Sequence, residues 1–395
     1  MCGLCLPHCP TYNKTQNEAE SPRGRISLIL GLAREQLQPD EKLISHLDNC
    51  LLCRACEAVC PSKVEFGQLM DGARATLAQD RPGTEQRIPL DELATDKQRQ
   101  QRDARLLWLS DTTGLRALGR GLGITRALGL QRFEQLAPKI RRPHAWQPYY
   151  PAKGEQRGDV ALFLGCFSDM LGQATLDAAI TLLTACGYGV HVPTSQTCCG
   201  ALHQHGGDGA KARQLAEQNL SAFSALEIDA VISTATGCGS FLSEYEQLAG
   251  RALSVCDINT FLSQIEWPAE VELRPLPKRV AVHEPCSQRN VLKQADAPYT
   301  LLKRIPELEL FPLPGNAQCC GAAGSYMIDH PDMADRLRQD KIEALRQTRP
   351  DMLVSSNIGC ALHLAAGLRN AGLKVGLLHP ITLLARQLRL NPDVS

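Results

Sequence analysis

No apolar run in this sequence approaches the roughly 20 residues that a membrane-spanning helix needs; ISLILGLA at 26–33 is typical of the longest. The opening residues hold neither the basic segment nor the apolar segment of a secretory signal, which argues against a secreted disulfide framework. Net charge is missing too. With 42 Lys and Arg against 42 Asp and Glu, no global field points to nucleic acid. No G-x-G-x-x-G fingerprint follows a predicted strand, so no flavin or nicotinamide site is evident. The glycine-rich GRGLGITRALG at 119–129 lies among basic helical stretches and reads as a connector. These absences predict a cytoplasmic protein, peripheral at most to the inner face of the cytoplasmic membrane.

What the chain has is cysteine: 17 in 395 residues, an odd number. Dense, short-spaced cysteines without a secretory signal read as metal ligands in a reducing compartment. The second run, CLLCRACEAVCP, spaces Cys50, Cys53, Cys56 and Cys60 as C-x2-C-x2-C-x3-C-P, the full bacterial ferredoxin pattern. The first run, MCGLCLPHCP, supplies Cys2, Cys5 and Cys9 before Pro10, three-quarters of the same pattern. In two-cluster ferredoxins the fourth cysteine of each run ligates the other cluster. One 4Fe–4S cluster then takes Cys9, Cys50, Cys53 and Cys56. The other takes Cys2, Cys5 and Cys60 and is one ligand short, because the missing cysteine belongs three residues before Cys2. The expectation is that Met1 is an internal methionine of a longer frame; the alternative is a genuine three-ligand site.

Eight further cysteines come as a duplication. Cys166, Cys198, Cys199 and Cys238 are followed by Cys286, Cys319, Cys320 and Cys360 at offsets of 120, 121, 121 and 122 residues. Each half has an apolar strand running into a cysteine (DVALFLGC, KRVAVHEPC) and then a helical stretch. A short strand leads to Cys-Cys-Gly, and a longer helix leads to a third strand (DAVISTATGC, DMLVSSNIGC). Strands alternating with helices predict parallel βαβ sheets, with the cysteines at the strands' carboxyl ends, where such sheets build sites. The fold class is therefore α/β: an α-helical ferredoxin-like module at 1–79, a basic helical linker at 80–156, and duplicated cysteine-rich units at 157–270 and 277–392. Cys186 and Cys256 have no counterpart and read as core. His203, His205 and His363 lie beside the motifs; a lone histidine is more often packed or solvated than a ligand, although His363 stands at C-x-x-H after Cys360. Arg23 and Arg25 in SPRGR open a helix with Pro22 in its first turn, a role that suffices for them. Within the linker, residues 97–157 carry 13 Lys and Arg against 4 Asp and Glu, a local +9. That charge reads as a solvated connector, or as a face for a partner subunit or anionic lipid.

The order of these motifs resembles the iron–sulfur subunit of glycolate oxidase, within the wider group related to the cysteine-rich subunit of heterodisulfide reductase. SPRGRISL, CLLCRACEAVCPS, TCCGA, TATGCGSF, QCCGAAGSY and SNIGCALHLAAG carry the likeness over nearly the whole chain. The resemblance implies an electron carrier with no substrate site and no catalytic residue of its own. Partner subunits containing FAD would oxidise glycolate to glyoxylate, or a related 2-hydroxy acid, and this chain would pass the electrons to a respiratory acceptor. Lactate or glycerol-3-phosphate dehydrogenase complexes are alternatives, as is thiol–disulfide chemistry at the Cys-Cys pairs. Heterodisulfide reductase repeats end in C-x-x-C, whose last thiolate serves a non-cubane cluster; Phe241 and His363 stand there in this chain. A conventional further iron–sulfur centre, zinc, or free redox thiols in the repeats therefore all stay open.

Overall fold

The computed structural model of the chain describes residues 2–79 and 94–389. Met1, residues 80–93 of the expected linker and residues 390–392 of the second expected unit lie outside the described residues. The architecture is α/β, with a helical ferredoxin-like region followed by two parallel sheets.

The N-terminal helices are Pro10–Thr15, Pro22–Ala33, Glu41–Asp48, Ala55–Ala58 and Phe66–Gln79. Their starts are legible in the residues. Ser21 Oγ accepts from Gly24 N at 2.9 Å with Pro22 behind it, and Asp40 Oδ1 accepts from Leu43 N at 2.8 Å. Leu43, Leu47, Phe66, Met70 and Leu77 pack around Cys50 and Cys56 as one apolar cluster. Arg25 does more than open its helix. It is 1% exposed and pairs with buried Glu20 at 2.6 Å. It also donates to Thr11 Oγ1 at 3.0 Å and to the His46 carbonyl at 2.7 Å.

The first sheet contains β1 (Tyr149–Tyr150), β2 (Gly158–Phe163), β3 (Tyr188–His191), β4 (Ala230–Ser233) and β5 (Val255–Asp257), in the order β1-β3-β2-β4-β5. A two-stranded ribbon pairs β6 (Glu272–Leu273) with β11 (Leu388–Arg389). The second sheet contains β7 (Arg279–His283), β8 (Glu309–Pro312), β9 (Met352–Ser355) and β10 (Gly376–Leu378), in the order β10-β9-β7-β8. Apart from β1, an antiparallel edge on β3, the strands of both sheets are parallel. The registers repeat as the cysteines do: Val160 pairs with Ala230, and Val280 with Met352.

Alternation along the strands builds the interior. Val160, Leu162 and Ile232 from one sheet share a core with Val280, Val282 and Val354 from the other. Their strand neighbours Ala161, Phe163 and Val231 face one outer helical layer, and Ala281 and Leu353 face another. Helix Gln173–Ala185 packs on Pro380–Gln387, while its counterpart Ala297–Leu302 packs on Ile258–Gln264. Each unit thus presents the same pair of helices to its twin, the signature of a pseudo-twofold interface.

Among the described residues, the stretch before the first sheet holds the helices Lys97–Thr112, Leu115–Gly121, Ile124–Ala127 and Gln131–Leu136. Arg132 ties it to the second unit through the Met327 carbonyl at 2.7 Å and Asp335 at 2.8 Å. Its extended end enters the first sheet as β1.

Candidate metal centres

Between Cys50 and Cys56 the chain turns through left-handed backbone at Leu52 (φ 49°) and Arg54 (φ 55°), which curls the thiols inward. Arg54 is braced there by Glu57 at 2.6 Å and by Glu244 of the first unit. Cys9 arrives from the other side as the residue capping helix Pro10–Thr15. The result is one cavity lined by Cys9, Cys50, Cys53 and Cys56, with Arg25 and Phe66 in its wall. That is the crossed set expected from the spacing. Burial, and then neighbouring thiols, push Cys53 and Cys56 above the usual thiol range. Several buried sulfurs become anionic together only beside a cation, so this donor set fits a 4Fe–4S cluster. Cys2 is exposed, and Cys5 and Cys60 are half-buried.

The Cys-Cys-Gly turns follow β3 and β8, whose connections cross back over β2 and β7 to β4 and β9 on the other side. That is the reversal of strand order beside which open α/β sheets build sites. Cys198 Sγ lies 3.6 Å from Cys166 Sγ, and Cys286 Sγ lies 4.0 Å from Cys319 Sγ. Cys238 packs against the cluster that holds Cys166, Cys198 and Cys199, and the Cys320 and Cys360 sulfurs lie within 4.8 Å of each other. All four thiols of each unit are therefore brought together. Cys238 and Cys360 stand in the first turns of helices Thr236–Leu242 and Ile358–Asn370, slightly beyond the strand ends where the sequence placed them. Backbone N–H groups aim at sulfur in both units, Gly200 N to Cys198 Sγ at 3.5 Å and Gly321 N to Cys319 Sγ at 3.4 Å. Interaction with the Cys166 and Cys199 thiols pulls Cys198 down and pushes those two partners up. Converging thiols with N–H donors fit a metal centre better than an apolar core does.

The two units differ in their relation to the ferredoxin thiols. Cys53 and Cys286 pack against one apolar cluster that includes Cys319, and the Cys286 thiol adds to the upward shift of Cys53. Asn290 Nδ2 donates to the Cys53 carbonyl at 2.7 Å. The second unit's thiols and those of the ferredoxin cavity are thus neighbours.

Of the remaining candidates, Cys186 lies in the shared core, raised to about 12 by burial, and Cys256 packs against that core, raised to about 11 by burial and then Asp257. His363 is buried with Nε2 3.1 Å from the Ala334 carbonyl and Nδ1 3.4 Å from Arg338, so both ring nitrogens are occupied. His205 pairs with Asp71 at 3.0 Å. A histidine not singled out from the sequence stands inside the second set instead. His283, Cys320 and Cys360 offer ligand atoms all within 4.8 Å of one another. Burial, with Lys341 adding, lowers His283 to about 3. The available signal was the misalignment of FLGC with HEPC: both begin three residues before the cysteine, one with Phe163 and the other with His283.

Comparison with known proteins agrees with this geometry. The cysteine-rich domain family matches residues 160–243 and 280–365, and the 4Fe-4S dicluster domain family matches residues 1–64. A probable glycolate oxidase iron-sulfur subunit from Bacillus subtilis is 34% identical, over 97% of this chain and 92% of that one. The glycolate oxidase iron-sulfur subunit of Escherichia coli is 32% identical, over 94% and 90%. Lactate utilization protein A of Geobacillus thermodenitrificans is 26% identical over 56% of this chain and 95% of its own. Among solved structures, a hypothetical protein from Helicobacter pylori shares the fold at a TM-score of 0.50 and 11% identity, covering 93% of this chain and 68% of that one. With a dicluster module, two cysteine-rich units and near full-length similarity at this level, the chain belongs to the family of glycolate oxidase iron–sulfur subunits.

Proposed function

We propose that this chain is the electron-carrying subunit of a complex that oxidises glycolate, or a related 2-hydroxy acid. Electrons enter from an FAD-containing partner and leave for a respiratory acceptor. The observation that carries the reading is that Cys53 and Cys286 both pack against the cluster that contains Cys319, with the Cys286 thiol near enough to push Cys53 up. It makes the ferredoxin cavity and the second unit's thiols adjoining stations of one path. Iron–sulfur centres bound to these thiols supply one-electron carriers. The chain's own residues hold the ligands, exclude water and set charge: Arg25 Nη1 lies 4.0 Å from Cys9 Sγ, and Lys341 lies among Cys319, Cys320 and Cys360. Burial of Cys198, Cys199, Cys319 and Cys320, each 2–4% exposed, supports metal binding over attack on a disulfide substrate.

The linker supports a membrane-surface site for this relay. Leu106, Leu109, Leu115, Leu118, Leu122, Ile124, Leu128 and Leu130 are 43–66% exposed. Arg105, Arg120 and Arg126 are exposed among them, whereas Asp103, Asp111 and Glu134 are each engaged by arginine. Apolar side chains flanked by exposed guanidinium groups, of which Arg120 also pairs with Glu134 at 3.4 Å, match an anionic lipid surface; no helix among the described residues is long and apolar enough to cross one.

The test is anaerobic capture of the tagged chain from its host, followed by addition of glycolate and EPR of the clusters. A co-purifying flavoprotein and glycolate-driven reduction are expected. A flavoprotein that reduces the clusters with lactate or glycerol 3-phosphate alone would replace the substrate. Absence of any flavoprotein would overturn the relay.

A further inference from the structure

The two units are one design used twice, so a position where they differ inside the thiol sets is informative. Strand register supplies one correspondence: Phe163 pairs with Ser233 in the first sheet, and His283 with Ser355 in the second. The helices supply another. Gly200 lies against Ala212 and Gly321 against Ala334, which aligns buried Asn219 with buried Lys341. The first thiol set is therefore bordered by a phenyl ring and an amide, the second by an imidazole and an ammonium group.

The imidazole is built in. His283 is 1% exposed, and its Nδ1 lies 3.0 Å from Ser355 Oγ, the kind of outer bond that fixes which ring nitrogen faces a metal. The counterpart Ser233 instead bonds the Ala235 carbonyl at 3.1 Å, having no ring to orient. Ligand atoms of His283, Cys320 and Cys360 lie within 4.8 Å of one another. Donors bonded to one tetrahedral ion at about 2.0–2.3 Å stand about 3.3–3.8 Å apart, so a small closure brings all three onto a single ion. Cys286 and Cys319 adjoin them, giving five donors, more than a tetrahedral zinc ion takes. The set also stands beside Cys53 of the ferredoxin cavity.

We propose that His283 is a metal ligand, sharing one iron of the second unit's centre with Cys320 and Cys360, so that this centre is imidazole–thiolate while the first unit's is all-thiolate. The proposal deepens the relay reading and rests on the units holding metal. His283 adds a neutral donor to the same four thiols that the first unit carries and leaves the shell's charge as it is. Buried Lys341, standing where the first unit has Asn219, adds the positive charge that raises the reduction potential. The station beside the ferredoxin thiols is then the higher-potential member of the pair.

The experiment uses the full chain, purified anaerobically with 15N-histidine, and pulsed EPR of the partly reduced protein. A strongly coupled nitrogen is expected in the parent, lost in His283→Phe and kept in His363→Phe. Phenylalanine is the side chain the twin sheet carries at this place, so the substitution keeps the strand packable. His283→Cys retains the iron and lowers the potential. A coupled nitrogen unaffected by His283→Phe, or none at all in a chain whose iron exceeds that of the ferredoxin module, overturns the histidine ligand and leaves the relay standing. Zinc with a nitrogen neighbour in its X-ray absorption shell, lost in His283→Phe, upholds the ligand and overturns the iron. No metal in either cysteine-rich unit removes the reading on which the proposal rests.

Discussion

Replacing Arg25 by alanine tests how the two cysteine runs are locked together. Its guanidinium joins Glu20, Thr11 and the carbonyl of His46, linking the segment after Cys9 to the helix that ends before Cys50. Both partners of the ion pair are nearly inaccessible, at 2% and 4% side-chain exposure. Removing one partner of such a pair costs about 3–5 kcal/mol, because the other charge stays buried without compensation. His46 Nδ1 at 2.6 Å and Asn49 Nδ2 at 3.1 Å still reach Glu20, which places the cost near the lower end, about 3 kcal/mol. At about 1.4 kcal/mol per decade that is about a 10²-fold rise in local opening. The assay is anaerobic removal of iron by a chelator, followed through the loss of cluster absorbance. Arg23→Ala is the control: its pair with Glu18 is 35% and 50% exposed and screened by solvent, so its loss should leave iron release nearly unchanged. Adding Glu20→Gln to Arg25→Ala should recover part of the loss. Equal iron-release rates in Arg25→Ala and Arg23→Ala would refute the argument.

Gly321→Ala should be more damaging than Gly200→Ala. Both residues take left-handed backbone, at φ +90° and +94°, but an added Cβ would lie 2.5 Å from the Ala334 carbonyl at Gly321 and 3.2 Å from the Ala212 carbonyl at Gly200. The backbone conformation costs about 1–3 kcal/mol in either case, and the closer clash adds to it at Gly321; thermal melts of the two variants side by side decide it, and equal melting temperatures would count against the reasoning. Leu118→Gln with Leu122→Gln should weaken binding to vesicles containing anionic lipid while leaving the clusters' EPR unchanged. Unaltered vesicle binding would remove the lipid surface as the occupant of this face.

Much of the fold could be read from residues alone because its signals are local or periodic. Ser21–Pro22 and Asp40 mark helix starts through their own side chains, and DVALFLGC and KRVAVHEPC show strands because buried parallel strands need continuous apolar runs. Ferredoxin spacing is equally local, since each ligand's place depends on the few residues of turn before it. That Cys9 lines one cavity with Cys50, Cys53 and Cys56 was legible because a general rule about paired runs stands in for the tertiary structure. Arg25 shows the opposite. Its helix-start context explains the turn, but nothing nearby in sequence reveals that Glu20 and the end of helix Glu41–Asp48 would close over its charge.

The sequence by itself determined the two ferredoxin runs, the duplication and the α/β class, since cysteine spacing, repeat offset and apolar periodicity are properties of the chain. Only the tertiary structure decided which histidine faces thiols. His363 looked poised at C-x-x-H, yet its helix turns it onto Ala334 and Arg338. His283, on a strand, reaches two cysteines 37 and 77 residues away along the chain. Only the fold, likewise, set Cys53 beside Cys286 and left the linker's leucines uncovered. Contacts between distant segments depend on how sheets and helices pack, and that packing is written in side-chain volumes spread over the whole chain rather than in any motif.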